Sequence, residues 1–325
     1  MGAQWSQVFP PRPTFQDTHL EPQDGKVFLI TGGYSGIGFE LATMLYRNHA
    51  RVYIAGRSEE KARQAIRNIQ AKAPTSRGSL VFLHLELDDL SSIKASADAF
   101  KAKESKLHVL WNNAGVSRPP AGSVSKQGVE LQLATNCLGP FLFTRLLLPL
   151  IETTAAAEIP GSVRIVWTAS QIVELSAPPG GMDMSELHTP SKDQLRNYIN
   201  SKFGNWLLAV EFARTVGRTS NVVSIALNPG SASSNLFRHT PSIYWLAWPV
   251  LYSPKMTAYT ELYAGLSGDI SLETNGCYVI PFGRIAQEKN IRQDLLDALK
   301  PKEDGGSGKA KEFCDFCEEK TRDYS

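Results

Sequence analysis

Tyr198 and Lys202 stand four residues apart in the run Ser191 to Val216, which reads as one amphipathic helix. Four residues is one helical turn, so the phenol and the ammonium share a face. A free phenol ionises near pH ~10, too high to exchange protons easily at neutrality, and a neighbouring cation favours the phenolate. A tyrosine tuned in this way can give a proton to a carbonyl or take one from an alcohol. The pair alone is a common accident of solvated helices, so its meaning depends on what the rest of the chain brings beside it.

A second stretch supplies a place for a nucleotide. Lys26 to Thr31 is a short apolar run that predicts a buried strand, and Phe39 to Tyr46 has helical periodicity. Between them lie Gly32, Gly33, Tyr34, Ser35, Gly36, Ile37 and Gly38. Glycines there let the backbone approach a pyrophosphate, and the helix start offers free N–H groups and the positive end of its dipole. The strand Arg51 to Ala55 then ends in Gly56, Arg57 and Ser58. An acid at that tip binds the ribose hydroxyls of NAD, whereas Arg57 suits a ribose 2′-phosphate, so the expected cofactor is NADP(H) rather than NAD(H).

The elements that must position these residues follow in order. Strands are expected at Ser79 to Leu87, Leu107 to Trp111, Val163 to Thr168, Asn221 to Leu227 and Cys277 to Pro281, with helices between them. Three of these strands lead into polar strand-end groups: Asn112-Asn113-Ala114-Gly115, Ser170, and Asn228-Pro229-Gly230. Val129 to Ile151 is apolar and helical, carries Asn136, and is interrupted by Gly139-Pro140, where a kink is expected. Alternating strands and helices predict an α/β fold: one doubly wound domain with a seven-stranded, mostly parallel sheet covered on both faces. Residues 1–24 read as an irregular leader, 25–290 as the catalytic domain, and 291–325 as a charged, partly helical extension.

Composition narrows the partners. The 325 residues carry 34 basic and 32 acidic side chains without a basic run, which argues against nucleic acid. Cys137, Cys277, Cys314 and Cys317 are too few and scattered for a disulfide framework, and Cys314-x-x-Cys317 lacks the further ligands of a zinc site, so no metal is expected. A reduced, cytoplasmic setting fits, with no secretory signal and no apolar run of the roughly 20 residues that an integral span needs. Met1-Gly2-Ala3-Gln4-Trp5-Ser6 matches a short acylation pattern, without the polybasic support that stable anchoring requires.

Taken together, Thr31-Gly32-x-x-x-Gly36-Ile37-Gly38, Asn112 to Gly115, Asn136, Ser170, Tyr198-x-x-x-Lys202 and Asn228-Pro229-Gly230 resemble the short-chain dehydrogenase/reductase family, in order and in placement, over residues 25–285. The leader, the segment 56–62, the segment 136–144 and the acidic aromatic tail look most like fungal members related to retinol dehydrogenases. The resemblance implies a Rossmann domain and a catalytic set of Asn136, Ser170, Tyr198 and Lys202. In that set Tyr198 is the acid or base and Ser170 polarises the substrate oxygen. Lys202 holds the nicotinamide ribose and lowers the Tyr198 pKa, and Asn136 holds a water that passes protons to Lys202. It further implies cofactor contacts from Gly32, Tyr34, Ser35, Gly36, Ile37, Gly38, Arg57, Glu86, Leu87, Asn113, Ala114, Gly115, Tyr198, Lys202, Pro229, Gly230 and Ser234. Three positions depart from the family's habit. Tyr34 stands where relatives carry Asn or a basic residue, Glu86 where an Asp meets the adenine edge, and Ser234 where a Thr holds the nicotinamide amide.

Substrate choice is expected in the loops 171–197 and 231–252. The second, with Ile243, Tyr244, Trp245, Leu246, Trp248, Val250 and Leu251, suits a lipophilic alcohol or ketone, or else serves as core or homodimer surface. Fungal secondary metabolism, with a polyketide or terpenoid carbonyl, enters by analogy. A non-catalytic dinucleotide-binding regulator or scaffold is the competing reading, and the complete catalytic set argues against it. An epimerase on the same fold is disfavoured by glycine spacings of 4 and 2.

Overall fold

Val27–Thr31 (β1) is buried at all five positions, as a strand with helices on both sides must be. In the computed structural model of the chain, which describes residues 2–233 and 251–325, β1 lies between β2 (Arg51–Gly56) and β4 (Val109–Asn112). Beyond β2 comes β3 (Ser79–His84). On the other side follow β5 (Arg164–Thr168), β6 (Val223–Leu227), β7 (Tyr278–Ile280) and β8 (Arg284–Ile285). The order β3-β2-β1-β4-β5-β6-β7-β8 reverses direction between β1 and β4. The crevice at the carboxyl ends of those two strands is where this architecture receives ligands.

The sheet has eight strands where seven were expected. Seven run parallel, and β8 returns antiparallel to β7 with Ile285 opposite Val279. A two-residue strand leaves no periodic signal. It forms because Phe282 and Gly283 take φ of 69° and 81°, which reverses the chain tightly.

One apolar layer lies on each face. Trp167, Phe141, Phe203 and Trp206 dominate one and Phe28, Trp111, Leu41 and Leu262 the other. Leu131–Ala157 is, among the described residues, the one helix long and apolar enough to cross a membrane, where the sequence predicts no apolar run of that length. It is a core helix, with 72% of its most apolar stretch buried inside the protein. The expected break at Gly139-Pro140 takes the form of a π-helical stretch, Ala134–Leu138, followed directly by α-helix. Gly139 is there for contact: a Cβ on it would collide with the Leu87 carbonyl, in the turn that follows β3.

The tail is part of the core. Lys309–Thr321 forms a helix whose Phe313 and Cys317 are fully buried against the helix Gln194–Ser220. A Cβ on Gly204 of that helix would lie 2.6 Å from Phe313 Cζ, so the two helices meet at the missing side chain. The leader, expected to be irregular, contains a helix, Gly2–Val8.

Candidate active site

Asp193 starts the long helix Gln194–Ser220, accepting the Leu195 N–H at 2.8 Å, and the helix carries Tyr198 and Lys202 beneath the ends of β4, β5 and β6. Each strand end is tied to its neighbour. Asn113 Nδ2 donates to the Thr31 carbonyl at 2.8 Å, and the Thr31 hydroxyl accepts Ala114 N–H at 2.9 Å. Gly115 faces the catalytic helix so closely that a Cβ would lie 3.2 Å from Asn136 Oδ1 and 3.4 Å from Lys202 Nζ. The expected groups therefore converge on one cavity of about 670 Å³, lined by Gly32, Tyr34, Ser35, Gly36, Ile37, Arg57, Leu87, Asn113, Ala114, Gly115, Ser170, Tyr198, Lys202, Pro229 and Gly230.

Within it, Tyr198 and Ser170 line the same wall, and the serine hydroxyl favours the ionised form of the phenol. Ser170 also caps the short helix Gln171–Ser176 by accepting Ile172 N–H. Burial pushes the Tyr198 phenol up to about 12, while the Ser170 hydroxyl and the charge of Arg118 pull it back down. Lys202 is itself buried, which lowers its ammonium to about 8. It donates to the Thr168 carbonyl at 2.9 Å, with its Nζ 5.9 Å from the Tyr198 ring centre. Arg118 is a further cation whose charge favours the phenolate, and no spacing rule pointed to it.

Asn136 is fully buried and does not line the cavity. Its amide donates to the Val116 carbonyl at 3.0 Å and to Ser201 Oγ at 2.9 Å, and its Oδ1 accepts Val116 N–H at 2.8 Å. The Ser201 hydroxyl in turn donates to the Tyr198 carbonyl at 2.8 Å. With both amide protons committed, the side chain positions the strand end and the catalytic helix.

A dinucleotide fits the remaining wall. Gly32 and Gly36 adopt φ of 70° and 56°, which brings bare backbone to the cavity at the start of the helix Gly36–Arg47. Gly38 is not in the wall. It allows the turn to close, since a Cβ there would sit 2.7 Å from the Gly32 carbonyl. Tyr34 packs its ring on Gly56, at the end of β2. Thr135 Oγ1, another residue of the cavity wall, is a buried polar atom with no protein partner. The acid in the cavity wall is Asp88 rather than Glu86. Asp88 lines the cavity and Glu86 does not, because the chain turns after Leu87. Asp88 holds Arg57 at 3.2 Å, and Lys61 adds a second cation that the strand-tip rule did not identify. Ser234 and most of the loop 231–252 lie outside the described residues.

The leader is built into this site. Gln7 is 4% exposed and donates to both oxygens of buried Glu174 at 3.1 Å, while its Oε1 accepts from Asn228 Nδ2 at 2.9 Å. Gln4 donates to Glu174 at 2.8 Å, and the Tyr252 hydroxyl donates to the Val8 carbonyl at 3.0 Å. The N-terminal helix thus clamps the segment after Ser170 to the Asn228-Pro229-Gly230 turn. No local pattern points to this, because the partners are more than 160 residues away. Gln7→Leu leaves Asn228 Nδ2 buried without its partner, so we expect a loss of about 1–3 kcal/mol in unfolding experiments. Loosened positioning should also lower kcat/KM by about tenfold. Unchanged values for both would mean that the helix merely adheres.

Comparison with known proteins finds relatives over nearly the whole chain. The family model described as short chain dehydrogenase matches residues 26–179. A short-chain dehydrogenase/reductase of Pestalotiopsis fici, iacJ, is 44% identical over 97% of this chain and 96% of its own length. One of Phomopsis amygdali is 43% identical over 98% and 96%. Among solved structures, an uncharacterized protein from Mycobacterium paratuberculosis superposes with a TM-score of 0.62 at 25% identity, covering 90% of this chain and 98% of that one.

Proposed function

This chain belongs to the short-chain dehydrogenase/reductase family, and we propose that it interconverts a carbonyl and the corresponding primary or secondary alcohol on a lipophilic small molecule, using NADP(H). The observation that carries the reading is that Tyr198, Ser170 and Lys202 line one cavity together with the glycine turn. The nicotinamide, when bound, supplies or accepts the hydride. Ser170 holds the substrate oxygen and Tyr198 delivers the proton to it, or removes it in the oxidative direction. Lys202 reaches the ribose, and the peptides of Gly32 to Ile37 receive the pyrophosphate. Pro229 and Gly230 border the nicotinamide, and Leu87, Asn113 and Ala114 pass the adenosine half. Ser234 is proposed to hold the carboxamide. The four free cysteines support a reducing, cytoplasmic setting. A secondary metabolite is the proposed kind of substrate.

Oxidation of NADPH and NADH, followed by nicotinamide absorbance against a panel of lipophilic ketones and aldehydes, tests the reaction. Nucleotide binding without turnover of any member would favour the scaffold reading instead. The cofactor preference has its own test. Arg57 is half exposed and Asp88 faces it, so a 2′-phosphate shares the guanidinium with a carboxylate. Loss of a charge-assisted hydrogen bond costs about 1.5–3 kcal/mol, so Arg57→Ala is expected to weaken NADPH binding about ten- to hundredfold and NADH by less than about threefold. Asp88→Asn should act in the opposite sense on NADPH. Equal losses for both nucleotides in Arg57→Ala would reject the preference.

A further inference from the structure

We propose that Arg118 is the recognition group for a carboxylate on the substrate, so that the lipophilic carbonyl compound is an acid. The inference rests on the proposed reduction site for the place of the reacting oxygen. Arg118 lines the cavity together with Ile172, Leu175 and Leu195, and its charge acts on the Tyr198 hydroxyl. It stands at the proton-transfer end, across the cavity wall from the Arg57 and Lys61 end assigned to phosphate.

Its donors lack a protein partner. Arg118 Nε is buried with nothing to bond, and among the described residues the guanidinium forms no ion pair. Glu130 and Glu186 are engaged by other groups. Glu130 accepts from Leu133 N at 2.7 Å and from Gln132 Nε2 at 3.2 Å, and Glu186 pairs with Arg196 at 2.8 Å. Residues 234–250 cannot neutralise it, because that stretch contains Arg238 and no Asp or Glu. A partly buried cation with an unmet donor costs stability unless an anion arrives with the ligand.

The backbone points the same way. Arg118 holds φ at 46°, a left-handed conformation that costs a non-glycine residue about 1–2 kcal/mol. Its N–H is pinned by Gln132 Oε1 at 2.8 Å, and Gln132 is anchored in turn to the Gln194 carbonyl at 3.1 Å, at the start of the catalytic helix. Strain kept at a cavity wall and fastened by a buried side chain is the signature of a placed functional group. One guanidinium presents two parallel donors, which match a carboxylate; a phosphate dianion would call for a second free cation. Lys202, the other cation at this end, is already bound to the Thr168 carbonyl.

The test compares 2-naphthoate with methyl 2-naphthoate, titrated calorimetrically into the full-length protein with NADP+ present. Wild type should bind the acid at least about tenfold more tightly than the ester, and Arg118→Gln should erase that preference. Arg118→Lys, which keeps the charge but not the fork, should retain part of it. Equal binding of acid and ester by wild type overturns the proposal even if neither variant folds, as does an acid preference that survives in Arg118→Gln. The readout needs no turnover. A protein that reduces no carbonyl compound yet prefers the acid through Arg118 would sink the proposed function and keep this site. One that reduces ketones but ignores the carboxylate would do the reverse.

Discussion

Tyr198→Phe is expected to lower kcat by on the order of 10²–10⁴ while leaving nucleotide affinity nearly unchanged. The ring stays, and with Tyr198 only 7% exposed the packing around it stays too. What goes is the hydroxyl proposed to pass a proton to the substrate. Because burial holds the phenol up to about 12, Tyr198 is in its acid form at neutrality, ready for reduction. The oxidative direction needs the phenolate. Wild-type oxidation should therefore rise with pH across the alkaline range, and the reductive rate should not share that rise. Steady-state rates in both directions and a nucleotide titration check this. Turnover of Tyr198→Phe near the wild-type level would remove the acid/base assignment.

Lys202→Met should separate activity from stability, moving them in opposite directions. Turnover is expected to fall by on the order of 10²-fold or more, since ribose positioning and the local positive charge go together. The fold, however, loses a burden. Lys202 ionises near 8 in the folded chain against 10.5 for a free lysine. Unfolded chains thus bind more protons between those values, and wild-type stability rises with pH across the window. Below about pH 8 the buried charge costs on the order of 3 kcal/mol, which methionine of similar length does not incur. Asn205 Nδ2 still donates to the Thr168 carbonyl at 2.9 Å, so that acceptor is not orphaned. Glu261, fully buried and raised to about 7, loses the cation that favours its charged form and goes neutral. Thermal unfolding from pH 7 to 10.5, without nucleotide, should show the variant as stable as wild type or more so at pH 7, and lacking the rise. A variant clearly less stable at pH 7 would mean that Lys202 contributes more through its hydrogen bond than its burial costs.

Much of the site was legible because it is built from strand ends. A buried strand, a glycine turn and a helix start obey local rules, and the rules coincide at Thr31 to Gly38. Asn113 to Gly115, Ser170 and Pro229-Gly230 follow the same logic. A parallel sheet places every carboxyl end on one edge, so finding the strands was enough to bring these groups together. The Tyr198–Lys202 spacing then put two more side chains on one face of one helix.

The remainder depends on contacts between distant parts of the chain. Glu86 and Asp88 are equally good acids in sequence, and only the turn after Leu87 decides which one faces Arg57. Asn136 has the right place for catalysis, but its neighbours Val116 and Ser201 take up its amide. The leader reads as irregular until Gln7 meets Glu174 and Asn228. Arg118 is one arginine among many until its backbone turns left-handed beside Tyr198. By itself the sequence determined the sheet, the glycine turn and the placement of Tyr198 and Lys202 on one helix face, because periodicity and strand-end chemistry are local. The tertiary structure decided that Arg118 joins them in the cavity, that Asp88 rather than Glu86 lines its wall and what holds the segment after Ser170 in place. Those depend on burial and on partners up to 244 residues apart, where desolvation and juxtaposition, not spacing, set the chemistry.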